Sequence, residues 1–151
     1  MKKKYELTEE TKTLANGTVL RRIRAVSDLT LAGVKIVRAG DLGGWIEKED
    51  NLSHCGEAWV CGEARVCGEA EVKDYHDYAV FKNTWSSGRW FTYTRSNKMW
   101  AVGCFLGTGD ELVEKAYKDS KLSGQCYEAI VRAQEAIDKA NALCLPKEAA
   151  R

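Results

Sequence analysis

The chain has 151 residues, 44% of them hydrophobic and 30% charged, with one proline and a formal net charge of +1. That length suits one domain of ordinary size, or a domain with a small appendage, and that composition excludes a disordered chain. The balanced charge argues against non-specific binding of duplex nucleic acid, which uses a basic excess, and no run is long and apolar enough to read as a transmembrane helix.

The opening MKKKYELTEET has lysines but no apolar stretch after them. It does not read as a signal peptide, and the expected location is the cytoplasm. The six cysteines include no CxxC pair. All six are expected to be reduced thiols in structural positions. Residues 5–15 and 18–26 flank Asn16-Gly17, which suits the two positive-φ positions of a type I′ turn. A β-hairpin is expected there, with Leu20, Ile23 and Val26 inward and Arg21, Arg22 and Arg24 on a solvated face. Leu29 to Val37 is apolar around Gly33, and Lys35-Ile36-Val37 reads as a strand. Gly43-Gly44 before Trp45 predicts a sharp turn where backbone meets backbone. No helix pattern follows it, so it is not read as a phosphate-cradling loop.

The next stretch organises the chain. Residues 55–72 read CGEAWV, CGEARV and CGEAEV, three near-identical hexads. A period of six fits neither helical repeat but fits short strands broken by a regular corner. Val60, Val66 and Val72, with Ala58, Ala64 and Ala70 two residues earlier, then point into one narrow core. The glycines supply corners, and the glutamates face solvent. Ile46 and Leu52, six apart, extend the row of rungs if two-residue bulges interrupt it. These hexads resemble the repeat of left-handed parallel β-helices, in which three hexads make one triangular coil. The resemblance implies about two coils. So short a solenoid needs capping by something else in the molecule.

The opening Tyr5-Glu6-Leu7-Thr8, the Arg22-Ile23-Arg24-Ala25 strand, Gly40 to Glu47 and Asn51-Leu52-Ser53-His54 together resemble small proteins encoded by bacteriophages and prophages. The segment from Trp85 to Gly109 resembles them as well. The resemblance implies origin and carries no catalytic residue.

After Val72 aromatic residues crowd together. From Arg89 to Arg95 the residues alternate: Arg89, Phe91, Tyr93 and Arg95 share one face, and Trp90, Thr92 and Thr94 the other. Ser96-Asn97-Lys98 reads as a turn, and Met99 to Leu106 as the returning strand. Two helices end the chain. Thr108 and Glu111 have capping-box spacing, and Leu112, Val113, Ala116 and Tyr117 form a stripe. Leu122-Ser123-Gly124 is expected as the turn, with Ser123 capping the second helix. Tyr127, Ile130, Val131, Ile137 and Ala140 recur at helical spacing, and Pro146 bars continuation. These stripes are narrow, so the helical pair is expected to dock on the sheet or on another subunit. The fold class expected is mainly β: a short left-handed parallel β-helix with flanking β-hairpins and a C-terminal two-helix hairpin. Its expected division is residues 1–82, 83–146 and a tail, 147–151.

Three chemistries compete. Arg89, Phe91, Tyr93 and Arg95, with Asn97 and Lys98 at the turn, would bind a nucleotide-type signalling ligand if the rings stack on a base and the guanidinium groups take phosphate. The competing reading places Phe91 and Tyr93 in the core. Trp59, Trp85, Trp90 and Trp100 are candidate anchors for a host protein. Hexapeptide-repeat proteins include acyltransferases, whose general base is a histidine at a subunit seam. His54 and His76 are the histidines here. No Ser/His/Asp order, carboxylate pair or zinc-ligand cluster stands out, and Asp74, His76 and Asp77 read as an exposed turn. No catalytic residue, metal or cofactor is therefore expected. The leading expectation is a non-enzymatic, homo-oligomeric phage protein that binds a host protein of a bacterial defence system. A nucleotide-sequestering protein and an acyltransferase are the alternatives.

Overall fold

The computed structural model describes residues 2–14, 17–55, 58–66, 68, 70–73 and 75–144. These residues form ten strands and a C-terminal helical pair. Among the described residues no helix is long and apolar enough to cross a membrane. The chain divides into two units, residues 1–106 and 107–151.

Strands β1 (Tyr5–Thr13) and β2 (Val19–Ala25) form the expected antiparallel hairpin. Its closure differs from a two-residue turn. The Leu14 amide donates to the Thr18 carbonyl, and the Gly17 amide donates to the Leu14 carbonyl, with Gly17 at φ 89°. Three residues therefore lie between the closing pair, the arrangement of a turn followed by a bulge glycine. Asn16 lies outside the described residues. The two-residue turn occurs instead between β3 (Leu29–Leu31) and β4 (Val34–Val37), where Ala32 and Gly33 have φ 52° and 80°. These two strands make a sheet of their own.

Strand β5 (Leu42–Ile46) pairs antiparallel with β2 and parallel with β6 (Arg65–Val66). Ile46 lies beside Val66 and Leu52 beside Val72, each partner 20 residues further on. The chain thus closes a coil of 20 residues, its second pass parallel to the first. The rungs point where the hexads predict: Ile46, Leu52, Val60, Val66 and Val72, with Ala58, Ala64 and Ala70, are all buried in one core. Gly62 and Gly68 turn corners at φ 59° and 65°, a region that penalises a Cβ. Gly43 and Gly44 lie within β5 rather than in a turn, but the close approach is real. A Cβ at Gly44 would stand 2.6 Å from Val60 Cγ1 and 2.7 Å from the Ala64 carbonyl oxygen.

Side chains cap both ends of the coil. On one side, Tyr5 donates its hydroxyl to the carbonyls of Glu49 and Leu52, each at 2.8 Å, and Lys4 Nζ donates to the Ala58 carbonyl. On the other, the amides of Arg65, Glu71 and Lys73 donate to Thr92 Oγ1 at 3.0 Å, Ser96 Oγ at 2.8 Å and Asp77 Oδ2 at 2.7 Å. Open strand edges template aggregation, and these oxygens occupy donors that would otherwise be free.

The caps of this second side come from a second sheet and the turns beside it. Strands β7 (Tyr78–Lys82), β8 (Trp90–Thr94), β9 (Met99–Val102) and β10 (Phe105–Thr108) lie in that order as a four-stranded sheet, antiparallel in register from β7 to β9. The expected hairpin of Arg89–Arg95 with Met99–Leu106 is present, but β7 joins it, and a turn at Gly103 splits its second arm. Thr92 and Ser96 bond the coil, so this part of the sheet is tied to residues 65 and 71 across the division expected at 82/83.

Helix α1 (Gly109–Asp119) is capped by Thr108, whose hydroxyl accepts from the Glu111 amide at 3.3 Å, as expected. The turn expected at 122–124 lies inside α2 (Lys121–Cys144). Ser120 ends α1, and its Oγ accepts from the Ser123 amide at 3.0 Å, so one serine closes the first helix and opens the second. Gly124 leaves room for the Tyr117 ring.

Candidate functional site

The Arg/aromatic face of β8 is not an open stacking platform. Phe91 and Tyr93 are 2% and 4% exposed. Tyr93 packs against Trp100 at 4.8 Å between ring centroids, and Phe91 against Phe81 at 5.6 Å. Neither ring has a face free for a base, which corrects the ligand-binding reading for both residues. Arg89 and Arg95 sit at the two ends of β8, about 20 Å apart at the rise of a strand, too far to clamp one phosphate together. Asn97 and Lys98 build the turn: Asn97 Oδ1 accepts from Thr94 Oγ1 at 2.6 Å, and Lys98 takes φ 54°. The opposite face is also buried beyond Trp90, because Thr92 and Thr94 turn toward the interior at 1% and 5% exposure. Alternation alone marks one face of a strand as inward and cannot announce that both are.

The tryptophans divide in the same way. Trp59 and Trp100 are buried at 8% and 2% and are core residues rather than anchors. Trp85 is half-buried, its ring steeply inclined to that of Phe91 at 74°, 6.4 Å between centroids. Trp90 is exposed, with Lys82 Nζ 5.6 Å from its ring centre.

His54 is a structural group. Its Nδ1 accepts the Lys4 amide at 3.1 Å, and its ring stacks on Tyr5 at 4.2 Å and 14°. The neutral ring therefore carries its proton on Nε2, which is buried without a hydrogen-bond partner. Burial holds the imidazole pKa below the usual histidine range, with Glu49 pulling it up and Lys3 and Lys4 pushing it further down. The lone pair a general base needs is already engaged. Burial also lowers the Lys4 ammonium to about 8 and pushes the Tyr5 hydroxyl up. Beside this cluster a cavity of about 380 Å³ is lined by Glu49, Asp50, Leu52, Ser53, His54, Glu71 and Lys73. Three of its charges pair within the chain: Lys73 with Glu71 at 3.0 Å and Glu49 with Lys3 at 3.7 Å. His76 lies on a short 3-10 turn, Tyr75–Asp77. Asp74 and Cys67 lie outside the described residues.

Among the described residues no three of His, Cys, Asp and Glu are placed to hold a metal ion. Cys55, Cys61 and Cys104 are exposed free thiols and Cys126 is half-buried, so Cys55 and Cys61 of the hexads stay outside the core.

Sequence reasoning missed the surface that remains. On β4, Val37 is buried, while Val34 and Ile36 are 63% and 46% exposed. Two residues of one strand, both aliphatic and both exposed, are visible in the sequence only as an apolar run. Val26 and Leu42, at 42% and 49%, likewise face out near the ends of β2 and β5. Asn51 was missed as well. Fully buried, it accepts the Glu47 and Lys48 amides and donates to the Gly68 and Ala70 carbonyls, tying one coil to the next. A polar residue just before a rung was the available signal. No family model, curated protein or solved structure matches this chain.

Proposed function

We propose that this chain is a non-enzymatic binding protein of bacteriophage origin, acting in the cytoplasm of the infected cell to occupy a host protein of a bacterial defence system. The observation that supports it best is the β3–β4 ribbon, a sheet of two strands with Val34 and Ile36 exposed. Two strands alone are marginal in water, and an aliphatic ribbon with open edges is what strand addition uses. The occupant is an extended aliphatic strand at the edge of a host protein's sheet. Lys35 is neutralised by Asp28 at 2.7 Å, which leaves little net charge at the ribbon's centre and favours an uncharged strand over an acidic or basic one. The coil itself we read as a short left-handed parallel β-helix. The 20-residue spacing of its rungs supports that reading, since it equals three hexads with two inserted residues.

The test expresses the chain beside single defence systems and measures the plating of a phage that each restricts. Wild type should restore plating against one system, and Val34→Glu with Ile36→Lys should not, at an unchanged thermal midpoint. If wild type relieves none of them, the anti-defence reading falls. If the double variant restores plating equally, the ribbon is not the surface.

A further inference from the structure

We propose that the outward face of α2 pairs antiparallel with α2 of a second copy of this chain. Helix α1 has 11 residues and α2 has 24, so α1 is long enough to cover less than half of its partner. One face of α2 is inward, with Tyr127, Val131 and Gln134 buried. Another is apolar, half-covered at its N-terminal end and open beyond it. Ile137 is 51% exposed, Ala133 and Ala140 are exposed, and Cys126 and Ile130 are half-buried. These five positions are spaced four, three, four and three apart, the seven-residue repeat with which helices pair. Ala129 and Ala136, both exposed, flank the row and let another helix approach closely.

The row alternates large and small, and this selects both the occupant and its direction. In a parallel pair, layers of two isoleucines would alternate with layers of two alanines, forcing the helices apart at one layer and leaving a gap at the next. In an antiparallel pair, Ile130 meets the second copy's Ala140, and Ile137 meets the second copy's Ala133. Each of these isoleucine–alanine layers then has one large and one small residue and the same thickness. An unrelated helix has no reason to carry the complementary alternation, whereas a second copy carries it necessarily.

The size of the face sets the strength. A helix of 24 residues presents a strip roughly 36 Å long and 10 Å wide, so the pair has a footprint of about 700 Å², less than the ~1,200 Å² of stable interfaces. Association should therefore depend on concentration. The row also supplies a chemical reporter. Cys126 and position 144 stand 18 residues apart on one helix, about 27 Å, whereas a disulfide requires Cα atoms within about 7 Å. In the antiparallel pair the same two positions of different copies are brought together. A Cys126–Cys144 disulfide formed on the intact helix can only join two chains.

The experiment is sedimentation of the full chain from about 1 to about 500 μM, a span covering micromolar association. The average mass of wild type should rise from 16.9 kDa toward twice that value, and Ile137→Lys should remain at 16.9 kDa. Lys139→Ala, on the polar face, should associate like wild type. Mild oxidation followed by peptide mapping should give Cys126 joined to Cys144. A wild type that stays at 16.9 kDa throughout, or an Ile137→Lys that associates equally, overturns the proposal. Cys126 joined to Cys126, or a dimer lacking the Cys126–Cys144 link, overturns the antiparallel arrangement. A failure here leaves the β3–β4 ribbon untouched, since that surface is read by plating.

Discussion

At the scale of single residues, the coil rests on positions where no other side chain fits. Gly44 carries a rung's backbone against Val60 and Ala64, and a Cβ there would stand inside van der Waals contact of both. Gly44→Ala should cost about 3 kcal/mol or more, read as a fall in the urea midpoint, because the obstacle includes a backbone carbonyl that cannot step aside. Asn51 acts through polarity rather than shape. It makes two acceptor and two donor contacts with backbone from 47 to 70. Replacing it by Leu removes all of them and leaves the buried backbone groups unpaired, so a loss of at least about 3 kcal/mol is expected. Ala32 offers the opposite sign. It holds φ 52° in a two-residue turn, a conformation that costs a non-glycine residue about 1 kcal/mol. Ala32→Gly should therefore raise the midpoint modestly, and Ala32→Asn should do likewise, since asparagine tolerates this region.

At the scale of elements, the hexads make a coil too short to protect its own edges, and neighbouring elements complete it. The Arg65 amide depends on Thr92, a residue 1% exposed. Thr92→Val keeps the shape of the side chain and removes the acceptor, so one buried N–H goes unpaired at about 1–3 kcal/mol. Hydrogen exchange should then quicken at Arg65 while the β1–β2 amides keep their protection. Equal quickening everywhere would mean that Thr92 supports the whole fold rather than this edge. Much of this level was legible in advance. The hexad valines and alanines repeat on a period that only one backbone form fits, and the N-terminal hairpin and the Thr108 cap rest on local chemistry. The misplaced features, β7 and the helix break at Ser120, share a cause. Tyr78 to Lys82 lacks alternation because both of its sides meet protein, and Ser120 serves two helices at once, which a search for one cap per helix overlooks.

At the scale of the whole molecule, the end cap built by Lys4, Tyr5 and His54 makes stability depend on pH in two windows. The His54 pKa is lower in the folded protein than its ordinary 6.5, so the unfolded chain binds the extra proton first. Stability is full above about pH 6.5 and falls as pH drops through that value to the folded one. His54→Phe, which keeps the ring against Tyr5, should be less stable at neutral pH but flatter across the acid window. Lys4 falls from 10.5 to about 8 on folding, so stability should rise between pH 8 and the onset of tyrosine ionisation near pH 10. Lys4→Met should abolish that rise. Denaturant midpoints measured across both windows decide each case, and a wild-type midpoint constant from pH 8 to 9.5 would show that Lys4 is not buried as a charge.

What the sequence alone determined is periodic or local. The rungs, the corner glycines, the small residues inside the coil, the first hairpin and the cap of α1 all follow from repeats of two, three to four, or six residues. The tertiary structure decided which surfaces remained. Arg89, Phe91, Tyr93 and Arg95 share a face by alternation, but whether that face meets ligand or protein depends on segments distant in the chain. Packing turned two of its rings inward to Phe81 and Trp100 and set the two arginines at opposite ends of the strand. Val34 and Ile36 were left outside for the same reason: their sheet stops at two strands, and strand count is a property of long-range pairing. Local periodicity fixes where a side chain points, and only the rest of the chain decides what it meets there.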